Sequence, residues 1–205
     1  MIIIIEGAQG SGKTHLINSL KRNLKIADEY PPHQFKNVIF YKYKHVEYMD
    51  KLEFNDIEGD ESFHYFTISN TLTILGLRDL VMSDKVFVFD RGIFSAYVWS
   101  ILRKRVDTDR LKKELTNLLN LDSYNNCHII RIKSNTGMKR DHTDIFDKHA
   151  NVGLENNIFD QLFNLNMELI NNSINRNSFT EITNKLDKIS EIELFQTFRT
   201  ILNKN

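Results

Sequence analysis

A chain of 205 residues, 41% hydrophobic and 26% charged, has the length and composition of one globular domain able to bury a core. Twenty-seven basic residues balance twenty-seven acidic ones, which argues against a dedicated duplex binder, and the single cysteine, Cys127, excludes an internal disulfide or a cysteine zinc cluster. The apolar run Ile2 to Ile5 is too short to span a membrane and lacks the basic flank of a signal peptide, so the expected location is the cytoplasm.

The β-branched run at residues 1–6 ends at Gly7 and predicts a buried parallel strand. A helix is expected over 13–24, with Leu16, Ile17 and Leu20 on one face. Residues 37–43 predict a second strand, 63–82 a helix by apolar spacing, and 85–89 a third strand running into Asp90. Two helices over 93–105 and 109–121 precede a fourth strand at 127–132. A helix over 159–174, a short strand at 179–183 and a closing helix over 188–202 complete the pattern. Strands alternating with helices imply an α/β fold, a five-stranded parallel sheet with helices on both faces, in a single domain spanning 1–205. The unpatterned stretches 47–61 and 134–157 are long enough to be functional, and the second is expected to be a lid.

Gly7-Ala8-Gln9-Gly10-Ser11-Gly12-Lys13-Thr14 matches G-x-x-x-x-G-K-[ST] in full, between an apolar strand and an amphipathic helix. Glycines allow successive backbone N–H groups to form a nest for phosphate oxygens, and the helix N-terminus adds its positive end. Lys13 is then the cation for the β- and γ-phosphates of ATP, and the Thr14 hydroxyl a ligand for Mg2+. This is the Walker A element of a P-loop NTPase fold. Asp90 closes an apolar strand at the sheet edge where ligands bind, and can hold the metal directly or through water. Arg91 beside it can grip a phosphoryl group bidentately, although a strand-end ion pair would use the same two residues.

These residues look like a family. Glu6-Gly7-x-x-Gly10-x-Gly12-Lys13-Thr14 resembles the opening of thymidylate kinases and their deoxynucleoside kinase relatives. Asp90-Arg91-x-x-Phe94-Ser95 is similar to the family's D-R-Y-x-F-S, with Gly92 in place of the tyrosine. The family's F-x-x-x-R stacks its phenylalanine on the nucleobase; here Phe66 is followed by Asn70 at the arginine position. Lys139-Arg140, then Asp144-Ile145-Phe146-Asp147, looks like the basic lid and its following acidic motif. The resemblance implies Lys13, Asp90, Arg91 and Arg140 as catalytic residues, with Phe66, Asn70, Arg91 and Ser95 around the acceptor.

The departures are Gln9 where the family usually has an acid, Asn70, and the absence of R-E-P-G after the second strand, where only Lys42, Lys44 and His45 lie nearby. They leave phosphoryl-transfer chemistry in place and predict relaxed base selection. The reaction implied is Mg-dependent transfer of the ATP γ-phosphoryl to a deoxynucleoside monophosphate, thymidylate first. A deoxynucleoside or polynucleotide acceptor is the alternative, with Glu47 the nearest candidate general base and nucleic acid a partner only as acceptor. A nucleotide-binding regulatory ATPase is the second alternative, and a homodimer is left open. Seven histidines show no metal-binding spacing, and no G-x-S-x-G nucleophile elbow occurs.

Overall fold

Strand β1 (Ile2–Glu6) carries four consecutive isoleucines, and all five of its residues are buried. Such a run suits a strand covered on both faces, and β1 occupies the centre of a five-stranded sheet ordered β2-β3-β1-β4-β5. The other strands are β2 (Val38–Lys42), β3 (Val86–Asp90), β4 (Cys127–Ser134) and β5 (Ser178–Asn184). All four pairings are parallel. Helix α1 (Lys13–Asp28) follows β1, and helix α2 (Lys188–Asn203) follows β5. The computed structural model describes residues 1–8, 10–29, 37–42, 85–92, 94–95, 98, 109, 113, 117, 127–134, 157–161, 164, 178–185 and 187–203.

The pleat sorts alternate residues to opposite faces. Ile3, Ile5, Val88, Ile130, Ile132 and Ile182 form one buried cluster with Leu16, Ile17, Leu20 and Leu24 of α1 and Leu194, Phe198 and Ile201 of α2. Both described helices therefore pack on the same face. Ile4, Phe89 and Ile129 alternate onto the opposite face and are buried as well, as are the helical residues Phe94, Val98, Ile158 and Phe159. Phe94 packs edge-on against Phe179 of β5, with ring centroids 6.3 Å apart. The expected α/β architecture, with a five-stranded parallel sheet and helices on both faces, is the one found.

Element ends differ from the sequence reading in informative ways. Helix α1 runs to Asp28, four residues past the expected end, although Ile26 is 57% exposed. Its last turn is carried by the helix propensity of Lys25 and Ala27 rather than by the apolar face that stops at Leu24. Strand β4 continues past Ile132 because its charged residues find partners. The Arg131 guanidinium, 2% exposed, pairs with Asp160 at 2.6 Å and Glu181 at 2.9 Å, and Lys133 pairs with Asp160 at 3.1 Å. Asp160 belongs to a helical stretch in which 157 and 158, ahead of the expected start at 159, are already helical. Residues 94, 95 and 98, and then 109, 113 and 117, are helical as expected, whereas the helix expected over 63–82 lies outside the described residues. Of the stretch assigned to a lid, 134 belongs to β4 and 157 to the helical stretch, and 135–156 lie outside the described residues. Among the described residues, no helix is long and apolar enough to cross a membrane.

Candidate active site

The strand order places a reversal at β1. The chain goes from β1 to β2 on one side, and from β3 past β1 to β4 on the other. The crevice at the carboxyl ends of β1 and β3 is therefore a switch point, where open α/β sheets bind ligands. Both motifs read from the sequence converge there. Ile5 pairs with Asp90 in register, and the Arg91 N–H donates to the Ile5 carbonyl at 3.0 Å.

Gly7 leaves β1 with φ 154°, and a Cβ at this position would lie 2.3 Å from the Ile132 carbonyl oxygen. Only glycine lets the loop cross β4 this closely. Gly10 and Gly12 take φ 76° and 75°, and the Ser11 N–H closes the turn on the Ala8 carbonyl at 3.1 Å. Lys13 is buried, and its Nζ donates back to the Gly7 carbonyl at 3.2 Å, so the cation spans the loop. Gly12 caps α1 without a side-chain bond, and no acid stands in the first turn. The positive end of α1 thus gains no carboxylate from its own first turn, as suits a helix that receives an external anion. Ser11 Oγ is buried without a hydrogen-bond partner among the described residues, 3.1 Å from where a Gly7 Cβ would stand. An orphaned hydroxyl beside a glycine cradle fits an oxygen-rich ligand. Thr14 is exposed at the start of α1, and the Asp90 carboxylate is half-buried at the end of β3. One hydroxyl and one carboxylate form the hard oxygen set that magnesium takes when phosphates and water complete its shell.

Arg91 has φ 79°, the left-handed region, which costs a residue with a Cβ roughly 1–2 kcal/mol. The turn it starts is tied to Glu6. Glu6 is fully buried; its Oε1 accepts the N–H groups of Phe94 at 3.2 Å and Ser95 at 3.4 Å, and its Oε2 accepts the Ser95 hydroxyl at 2.5 Å. Burial raises the Glu6 pKa above the ordinary glutamate value, opposed by the Ser95 hydrogen bonds and by the charges of Arg91 and Lys13. Ser95, expected beside the acceptor, is itself fully buried and turns its hydroxyl inward onto Glu6.

Asn184 is a site neighbour that the sequence reading missed. Buried at the end of β5, it donates from Nδ2 to the Ser11 carbonyl at 2.8 Å and so braces the loop from two strands away. Its only sequence signal is an amide at a strand end near a helix start. The structure brings together Gly7, Ala8, Gly10, Ser11, Gly12, Lys13, Thr14, Asp90, Arg91 and Ser95. Gln9, Phe66, Asn70 and Arg140 lie outside the described residues.

No protein-family model matches the chain, and no curated protein matches it in sequence. Solved structures do match in fold. A thymidylate kinase from Ehrlichia chaffeensis superposes with a TM-score of 0.63 at 15% identity, over 97% of this chain and 98% of that one. Deoxyadenosine kinase from M. mycoides with bound dCTP gives 0.61 at 14% identity, over 98% of this chain and 99% of its own. The same enzyme with bound dATP gives 0.59 at 12% identity, over 98% and 100%. The likeness carried by the motifs extends to the fold: nearly the whole chain takes the α/β fold of the thymidylate kinase and deoxyadenosine kinase structures.

Proposed function

We propose that this chain is a nucleotide kinase of one catalytic domain, which transfers the γ-phosphoryl of ATP to a deoxynucleoside monophosphate, thymidylate first. The observation that carries the reading is the register of β1 with β3. It sets a phosphate loop and an Asp-Arg pair at one sheet edge, so donor and acceptor phosphates can meet there. The fold shared with a thymidylate kinase over nearly the full length supports it.

In this reading the loop N–H groups and Lys13 hold the donor β- and γ-phosphates, fixing the in-line geometry that phosphoryl transfer needs. Thr14 and Asp90 would hold the magnesium ion, which supplies charge neutralisation on the donor phosphates. Arg91 clamps the acceptor phosphate and keeps its oxygens from repelling the donor. Arg140 covers the transferring group, Phe66 stacks on the acceptor base, and Asn70 reads the base edge with one donor and one acceptor. Because stacking tolerates any base and Asn70 replaces a charged donor, thymidylate is used with relaxed selectivity. A coupled assay of ATP against the four deoxynucleoside monophosphates and their nucleosides tests the reading. Turnover of thymidylate with at least one further monophosphate is expected, and turnover of none of the eight would overturn it. Preference for a nucleoside would favour the second reading, a deoxynucleoside kinase, which the fold match to deoxyadenosine kinase supports.

A further inference from the structure

Glu6 is an acid where the strand pattern calls for an apolar residue. It follows four isoleucines, has no exposed surface, and is no part of the G-x-x-x-x-G-K-[ST] motif it precedes. Burying a carboxylate is costly unless its oxygens are bonded, and the three bonds described for it come from two residues, Phe94 and Ser95. Those residues open the helical segment after Asp90-Arg91, so the carboxylate acts there as a cap supplied by another strand. Gly92, between them and Arg91, runs close under β1. A Cβ on it would stand 2.7 Å from Ile4 Cγ2 and 3.0 Å from Glu6 Oε1. The segment is thus fixed to β1 at both ends, by the Arg91 N–H on the Ile5 carbonyl and by Glu6 on residues 94 and 95. A left-handed arginine persists only where its surroundings over-determine it, and these are such surroundings.

We propose that Glu6 is a positioning residue for the transfer reaction: its buried carboxylate pins the turn at 91–95 to β1 and so holds Arg91 in the backbone conformation from which it clamps the acceptor phosphate. The proposal rests on the reading of Arg91 as that clamp. It separates the acid from the motif beside it, since Glu6 serves the acceptor and Lys13 the donor.

The test uses the full chain with Glu6→Gln, Arg91→Ala and the double variant, and adds Glu6→Ala as the disruptive extreme. Glu6→Gln keeps the shape and replaces one oxygen of a fully buried carboxyl group by an amide nitrogen, so its thermal midpoint should equal or exceed that of the native protein. Amide hydrogen exchange at Phe94 and Ser95 should quicken roughly tenfold or more, the scale of one weakened hydrogen bond, while exchange in α1 and α2 stays unchanged. The KM for thymidylate should rise by about the same factor, and the KM for ATP by less than about twofold. In the Arg91→Ala background, Glu6→Gln should add nothing to the thymidylate KM, because it acts through Arg91. Unchanged exchange at residues 94 and 95, equal movement of both KM values, or a further loss in the double variant would each overturn the proposal. If the native protein phosphorylates no acceptor, the kinase reading fails by itself, and the exchange at 94 and 95 still decides whether Glu6 pins the turn.

Discussion

The turns that leave β1 and β3 lie side by side, and they reach left-handed backbone by opposite means. After β1, three glycines take φ values of 154°, 76° and 75°, conformations that cost glycine little. After β3 an arginine takes φ 79°, and the chain around it must hold it there. A turn built from glycine is a local property and shows in the sequence as a motif. A turn imposed on a side chain needs distant partners: the bonds from Phe94 and Ser95 to Glu6 span 88 and 89 residues. The first kind can be recognised by reading the chain, and the second only by folding it.

The contrast can be broken on its functional side. Lys13→Ala should leave the fold intact and reduce turnover by roughly 10³-fold, because no other loop residue replaces a cation preorganised on the transferring charge. Steady-state kinetics on variant protein with native circular dichroism is the check; near-normal turnover would remove Lys13 from the chemistry. Arg91→Ala should cost monophosphate use about 2–5 kcal/mol, the scale of an acceptor phosphate left without its partner, while basal ATP hydrolysis changes far less. Equal losses in the two assays would place Arg91 on the donor side.

A smaller effect sharpens the contrast directly. Arg91→Gly and Arg91→Ala both remove the guanidinium, but only glycine relieves the left-handed strain. Arg91→Gly should therefore be more stable than Arg91→Ala by about 1 kcal/mol in denaturant unfolding, and equal midpoints would mean that position 91 is not strained. The smallest effect lies across the sheet. Asp160 is held below the ordinary aspartate value: burial opposes its ionisation, but the hydrogen bonds and charges of Arg131 and Lys133 outweigh that. With the folded value depressed, its contribution is complete above the unfolded value and is lost as pH falls through the folded one. Amide exchange at 157–161 should quicken on acidification through that window, and Asp160→Asn should abolish the acid step. Exchange at 157–161 that stays constant through the window would show that the Arg131 and Lys133 pairs do not hold this segment.

Much of the fold was legible, because five short apolar runs alternating with helical spacing leave few arrangements besides a parallel sheet. The loop that follows β1 was legible for the same reason, since Gly7, Gly12, Lys13 and Thr14 stand at fixed local spacing. Asn184 was not, because its partner, the Ser11 carbonyl, is 173 residues away. The resemblance places Ser95 beside the acceptor, and the bond of its hydroxyl to Glu6 depends on the burial of Glu6, which no local pattern announces. The end of β4 was read short because Lys133 looks like a loop charge until Asp160 is beside it.

The bracing of the loop has a consequence for the order in which the protein becomes competent. The G-x-x-x-x-G-K-[ST] loop is made well before Asn184, which holds the Ser11 carbonyl from 173 residues further on, and before α2, which packs on α1. On α1, the His15 ring donates to Glu191 of α2 at 2.9 Å and the Ser19 hydroxyl bonds the same carboxylate, so the two helices are also joined by polar contacts. A growing chain thus carries the complete motif for some time before the elements that stiffen it are made, and contacts so distant in sequence close slowly. Nucleotide affinity should appear in a single late step, together with α1–α2 docking, in refolding followed by nucleotide fluorescence. Affinity that rises before the helices dock would show that the loop needs no brace. If the loop takes nucleotide as proposed, it does so only in molecules whose β5 and α2 have docked.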